Sequence, residues 1–305
     1  FIDVNLHLML DLADTAKEQW KPLVQTSGDA ESFAERYGAA TRDNVILFLT
    51  FDADNPNSIL SCVTAARDNA RSVREIISSE MWEQANSYYH MVRDAARNRE
   101  VLAAPNEFYA RVKLASHLFN GITDSTMSHG EAAHFLRLGR MLERADKTSR
   151  ILDVKYFILL PDVSEVGSTF DNIQWSALLK SASANEMYRK RYGQLTPGKI
   201  ARFLLLDREF PRAVRFCVME AEACLHEISG SPRGSFSNAA EQHLGRIAAE
   251  LNYMHVEEII AAGLHEYLDD LELKLNRASV AVFDTFFSLR PTSDHAEYSD
   301  VDKNE

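Results

Sequence analysis

The residue types best suited to chemistry lie in one stretch, His129 to Arg150, and along a second stripe near the C-terminus. Glu131 and His134 stand as Glu-x-x-His, the spacing that di-metal carboxylate bundles use twice. Here that motif occurs once. His255, Glu258, His265 and Asp269 supply a second set of metal-capable groups, and they share one stripe if a single helix runs through Gly263. Neutral imidazole and carboxylate together can hold a divalent cation. The plainer reading is that these histidines are satisfied by hydrogen bonds inside a helical bundle, since the second Glu-x-x-His is missing.

Next to Glu131 and His134, at helical spacing, Arg137, Arg140, Arg144 and Lys147 make a basic stripe. Guanidinium forks suit the bidentate geometry of phosphate or carboxylate, so the stripe is a candidate for anion or partner binding. A row of like charges costs energy unless something negative meets it. Either an acidic neighbouring helix or an anionic ligand must therefore sit opposite. Glu143 and Asp146 stand four residues before Lys147 and Arg150, and such i,i+4 pairs already account for part of the charge. The ordinary reading is salt bridging to a neighbouring helix; the functional one is recognition of an anion.

These side chains line up only on helices. On a helical wheel His134, Leu138, Met141, Leu142, Ala145, Ser149 and Leu152 share one face with Glu131 beside them, a buried stripe flanked by the charges. The whole chain favours the same element. Its 305 residues contain only 12 Gly and 8 Pro, and Ser58 to Arg99 contains neither, so long helices outcompete strands and turns and the class is all-α. Further helices are predicted over Glu107–Asp124, Gly130–Leu160 and Asn238–Phe287, the last with a possible break at Gly263.

The chain also matches itself at one fixed offset. Gln19-Trp20 returns as Gln174-Trp175, Arg36-Tyr37-Gly38 as Arg191-Tyr192-Gly193, Phe48-Leu49 as Phe203-Leu204, Asp52 as Asp207, Pro56 as Pro211 and Cys62 as Cys217. With a short insertion Ile2-Asp3-Val4 also matches Leu152-Asp153-Val154. The chain thus divides into a first helical half at 1–128, a second at 129–289 and an acidic, polar tail at 290–305 expected to be disordered. Trp20, Trp175, Tyr37 and Tyr192 are expected to anchor short helices. Asp52 and Asp207 are expected to order loops, and Pro56 and Pro211 to open a helix in its first turn. Beyond Pro211, Val214, Cys217, Val218, Ala221 and Leu225 mark a buried stripe, with Arg212, Arg215, Glu222 and Glu227 elsewhere.

A formal net charge of -12 argues against nonspecific binding to nucleic acid or an anionic membrane face, both of which reward a positive field. Cys62, Cys217 and Cys224 form neither a CxxC pair nor an even secreted framework, which predicts reduced, buried thiols and a cytoplasmic protein. The apolar runs are too short for a membrane span, and no signal peptide is legible. Phe1 stands where a Met is expected, inside an apolar-periodic run to Leu10, which suggests that a preceding stretch is missing. No Gly-rich phosphate loop, nucleophile elbow or paired metalloprotease His is present, so catalytic residues stay unassigned and no cofactor is evident.

At Leu138-Gly139-Arg140-Met141-Leu142-Glu143-Arg144-Ala145-Asp146, continued by Ser149-Arg150-Ile151-Leu152-Asp153-Val154, the sequence resembles the bacterial alpha-E family, helical proteins named for a recurrent Glu-Arg motif. The likeness extends through Asn55-Pro56-Asn57-Ser58-Ile59, Ile77-Ser78-Ser79-Glu80-Met81-Trp82, Phe203 to Arg212 and Gly263 to Leu268, and covers Phe1 to about Phe287. Of the motif, only Glu143 and Arg144 carry over. Members usually open with an earlier Glu-Arg helix leading into Asp3-Val4-Asn5, which this chain lacks. The family is typically encoded beside, or fused to, a circularly permuted ATP-grasp ligase and a transglutaminase-like peptidase. The resemblance therefore implies a non-catalytic accessory or substrate-presenting partner of a peptide- or amide-bond-forming system. The rival expectations are a metal-dependent or ligand-processing bundle enzyme using Glu131, His134, His255 and His265, and a structural homo-oligomer.

Overall fold

A computed structural model describes residues 20–98, 100–157 and 169–288. Among the described residues the chain forms fourteen α-helices, one short 3-10 turn and no strand, so it is all-α. The opening run at 1–10 with its Ile2-Asp3-Val4 match, Gln19, and the tail at 290–305 lie outside those residues.

The first six helices are α1 (Lys21–Ser27), α2 (Ala30–Tyr37), α3 (Arg42–Thr50), α4 (Ile59–Ser72), α5 (Ser79–Asn98) and α6 (Pro105–Thr126). Then come α7 (Glu131–Phe157), α8 (Thr169–Ser181), α9 (Asn185–Tyr192), α10 (Pro197–Leu206), α11 (Val214–Ser229), α12 (Ala239–Tyr253), α13 (Val256–Ala262) and α14 (Leu264–Phe286). Buried apolar residues gather in two clusters. One joins Trp20, Phe33, Val45, Phe48, Val92 and Phe108 from the early helices. The larger joins Leu138, Ala145 and Leu152 of α7 to Leu179, Tyr188, Phe203, Val218, Leu244 and Leu271. Helix α7 is the axis of the second cluster, packing against α11 and α14 while α1 leans on it from the other group.

Several of the residues matched along the chain have similar local contacts, although Cys62 is exposed where Cys217 is buried. Trp20 and Trp175 are both buried. Tyr37 stacks on Phe33 at 5.5 Å and meets Phe48 edge-on at 5.6 Å, while Tyr192 lies 5.2 Å from Tyr188 and meets Phe203 edge-on at 6.1 Å. Gly38 and Gly193 end α2 and α9 at φ of 68° and 71°, where a side chain would be strained. Arg36 pairs with Asp52 at 2.8 Å, and Arg191 pairs with Asp207.

Four expectations need correction. Pro56 and Pro211 stand in the turns before α4 and α11 instead of in their first helical turns. The reason is the aspartate upstream: the Asp207 carboxylate accepts from the backbone N–H of Glu209 and Phe210 at 2.9 and 2.8 Å, and that of Asp52 from Asp54 at 2.9 Å, so each loop folds on itself first. The C-terminal helix breaks twice, at Met254-His255 and at Gly263, so His255 and Glu258 are not on the helix that carries His265 and Asp269. The first break turns the chain so that Val256 and Ile259 reach the core. Cys217 and Cys224 are buried free thiols, but Cys62 is exposed. Arg215, expected off the buried stripe, is itself buried, because its Nε and Nη2 donate to Asn252 Oδ1 at 3.0 and 2.6 Å.

The start of α12 is set by its cap. Asn238 Oδ1 accepts from the Glu241 N–H at 2.9 Å, and Glu241 turns back to accept from Ser237 N and from Ser231 Oγ at 2.7 Å. Burial alone would raise the Glu241 carboxyl, but these donors overcome it and hold it at about 2. Asn238→Ala should lower stability by about 1 kcal/mol in a denaturant melt, with the helical signal otherwise retained.

Candidate functional site

The basic stripe lies along α7, and the structure sorts its members by what meets them. Arg137 pairs with Glu220 on α11. Arg140 donates to Asn120 Oδ1 on α6 at 3.0 Å and stands 3.7 Å from Asp124, though its Nε is buried without an acceptor. Lys147 reaches Asp146 at 3.0 Å and Glu143 at 3.7 Å. Neighbouring helices thus meet the charge of Arg137 and Arg140, and acids of α7 itself meet that of Lys147.

Arg144, the arginine of the Glu-Arg motif, is different. Its Nη1 donates to the backbone carbonyl of Pro211 at 3.0 Å, and among the described residues no carboxylate pairs with it. Burial lowers its pKa, and the like charges of Arg212 and Arg140 lower it further. Arg212, beside Pro211 in the turn before α11, likewise has no acid partner among the described residues. Arg144 and Arg212 thus form a positive cluster with Arg140, in which only Arg140 has a carboxylate nearby, Asp124 at 3.7 Å. Sequence reasoning missed Arg212, although its place directly after the repeated Pro211 was visible.

Facing α14, the same helix carries the opposite chemistry. Arg150 bridges Asp146 at 3.0 Å and Glu272 at 3.1 Å, and Ser149 Oγ lies 3.4 Å from Glu272. Asp153 Oδ1 meets His265 Nδ1 at 2.8 Å, and His265 Nε2 lies 3.6 Å from Asp269. Burial pushes Glu272 up to about 7. Arg150 opposes that rise, while Asp146, Asp153 and Asp269 add to it. Burial disfavours charge on His265, yet its hydrogen bond to Asp153 and the carboxylates of Asp153 and Asp269 win and raise its pKa. So placed, the imidazole already occupies the space between the two aspartates. The signal for Glu272 was present in the sequence, because 265, 269 and 272 continue one helical stripe.

The metal candidates do not assemble as one site. Asp153, His265 and Asp269 converge. Glu131 and His134 lie at the other end of α7, about 33 and about 28 Å along the axis from Asp153 at about 1.5 Å per residue. His255 caps α13, and His255 and Glu258 are exposed at the surface. No helix among the described residues is long and apolar enough to cross a membrane.

Comparison with known proteins gives the family. The chain is 23% identical over 240 residues to the uncharacterized protein Mb2597 of Mycobacterium bovis, a match covering 76% of the chain and 26% of that protein. It is 22% identical over 240 residues to the uncharacterized protein Rv2567 of Mycobacterium tuberculosis, again over 76% and 26%. The chain therefore spans about a quarter of the length of these relatives. No solved structure matches it. The Alpha-E family, described as a predicted alpha-helical domain with a conserved ER motif, matches residues 1–287, nearly the whole chain. With Glu143 and Arg144 at the centre of its longest helix, this chain belongs to the Alpha-E family.

Proposed function

We propose that the chain is a non-catalytic helical module of a bacterial, cytoplasmic ATP-grasp amidoligase system, docking an anionic group of the ligase or of its peptide substrate on Arg144, Arg212 and Arg140. The observation that carries this reading is the state of Arg144. A half-buried guanidinium with like charges for neighbours is unfavourable by itself, so an incoming phosphate or carboxylate gains more there than at an exposed, already paired arginine. The relatives' greater length supports a module that works joined to other domains. The ligase as partner is what the family resemblance suggests.

Mixing the purified chain with the ATP-grasp ligase at micromolar concentration, read by light scattering and ATP turnover, tests the proposal. Arg144→Glu and Arg212→Glu should each weaken association at least about tenfold. Arg137→Glu, which loses only a surface pair with Glu220, should have a smaller effect. No complex, or a complex indifferent to Arg144→Glu, overturns the reading.

A further inference from the structure

On the side of α11 turned away from α7, a cleft of about 510 Å³ opens between α11 and α12 beneath the turn at 230–238. That volume lies in the range of small-molecule sites. Its floor includes Gly245, in the middle of α12, where a Cβ would come within 3.4 Å of the Glu222 carboxylate. Glycine inside a helix is less favourable than alanine, and here it keeps the floor open. Two rings stand at the cleft, Phe236 at 60% exposure and Tyr253 at 86%, uncovered by the chain itself.

The cleft holds guanidinium groups that no described carboxylate pairs with. Arg233 and Arg246 line it, and among the described residues neither forms an ion pair. Asn252, also in the lining, is the acceptor for Arg215, which is only 8% exposed and has no carboxylate partner among the described residues. Burying such a cation without a counter-charge is costly, and its field extends to the cleft. Of the two acids in the lining, Glu241 keeps its charge but has its oxygens turned to serine donors, and neither it nor Glu222 forms an ion pair with Arg233 or Arg246.

We propose that this cleft binds a small anion carrying a planar ring, of the aryl phosphate or aryl carboxylate kind, with the ring against Phe236 and Tyr253 and the anionic group on Arg233 and Arg246. The site is separate from the Arg144 cluster and does not rest on it. Aromatic walls and guanidinium groups are the usual pairing for such ligands, because stacking and charge each contribute and neither alone suffices.

Naphthyl phosphate titrated into the full chain, followed by fluorescence and calorimetry, tests it, with inorganic phosphate and naphthol as separate arms. Naphthyl phosphate should bind at least about tenfold more tightly than either part. The double variant Arg233→Glu/Arg246→Glu, both positions being exposed, should weaken it by at least about tenfold with the helical signal unchanged. Gly245→Leu, which fills the floor while favouring the helix, should abolish it. Absence of saturable binding, equal binding of inorganic phosphate, or binding indifferent to the arginine pair overturns the proposal; if Gly245→Leu fails to fold, the arginine pair decides.

Discussion

Phe203→Ala should lower the free energy of unfolding by about 3–5 kcal/mol, seen as a large drop in the denaturant midpoint. The ring is 2% exposed and sits 4.7 Å from Phe210 and 5.7 Å from Tyr188, so its removal leaves a cavity that rigid aromatic neighbours cannot close. Phe48, fully buried between Phe33 and Tyr37, occupies the matching place in the other cluster, and Phe48→Ala should show a loss of the same order there. A shift below about 1 kcal/mol at Phe203 would mean that the aromatic group is not a packing anchor.

Glu272→Gln should stabilise the protein above neutral pH, by about 3 kcal/mol at pH 8. The sign follows from the direction of the shift. Glu272 has its pKa raised from 4.5 to about 7 in the folded chain, because burial and the nearby aspartates outweigh its salt bridge to Arg150. The folded state therefore binds this proton more tightly than the unfolded one. Below pH 4.5 both states are protonated and there is no penalty; from 4.5 to about 7 the unfolded chain ionises first, and stability falls as pH rises. Glutamine keeps an acceptor for Arg150 and removes the titration. Melting curves from pH 5 to pH 8 should flatten in the variant, and an unchanged slope would exclude Glu272 as its source. Glu241 acts in the opposite window: its stabilisation is present above 4.5 and is lost as pH falls toward about 2.

How much of this was legible beforehand depended on whether the partners were local. The buried face of α7, the Lys147 and Arg150 pairs four residues back, and the break at Gly263 follow from spacing and residue type, and all are present. The break at Met254-His255 has no glycine or proline to announce it; tertiary burial of Val256 and Ile259 overrides local propensity. The stripe of arginines was readable as a row of charge, but which member lacked an acid was not. That depends on Glu220 and Asp124, from α11 and α6, reaching Arg137 and Arg140 while only a carbonyl reaches Arg144. Arg215 shows the same limit in reverse, since an amide on the next helix, α12, draws it inward.

Helix α7 joins the early helices to the second cluster. It is seated in the second cluster, on α11 and α14, and α1 in turn is seated on it, with Gly28 so close to Arg150 that a Cβ there would lie 3.5 Å from the guanidinium. Among the described residues the early helices therefore rest on the second cluster partly through α1, and a substitution that displaces α7 should uncover α1 as well.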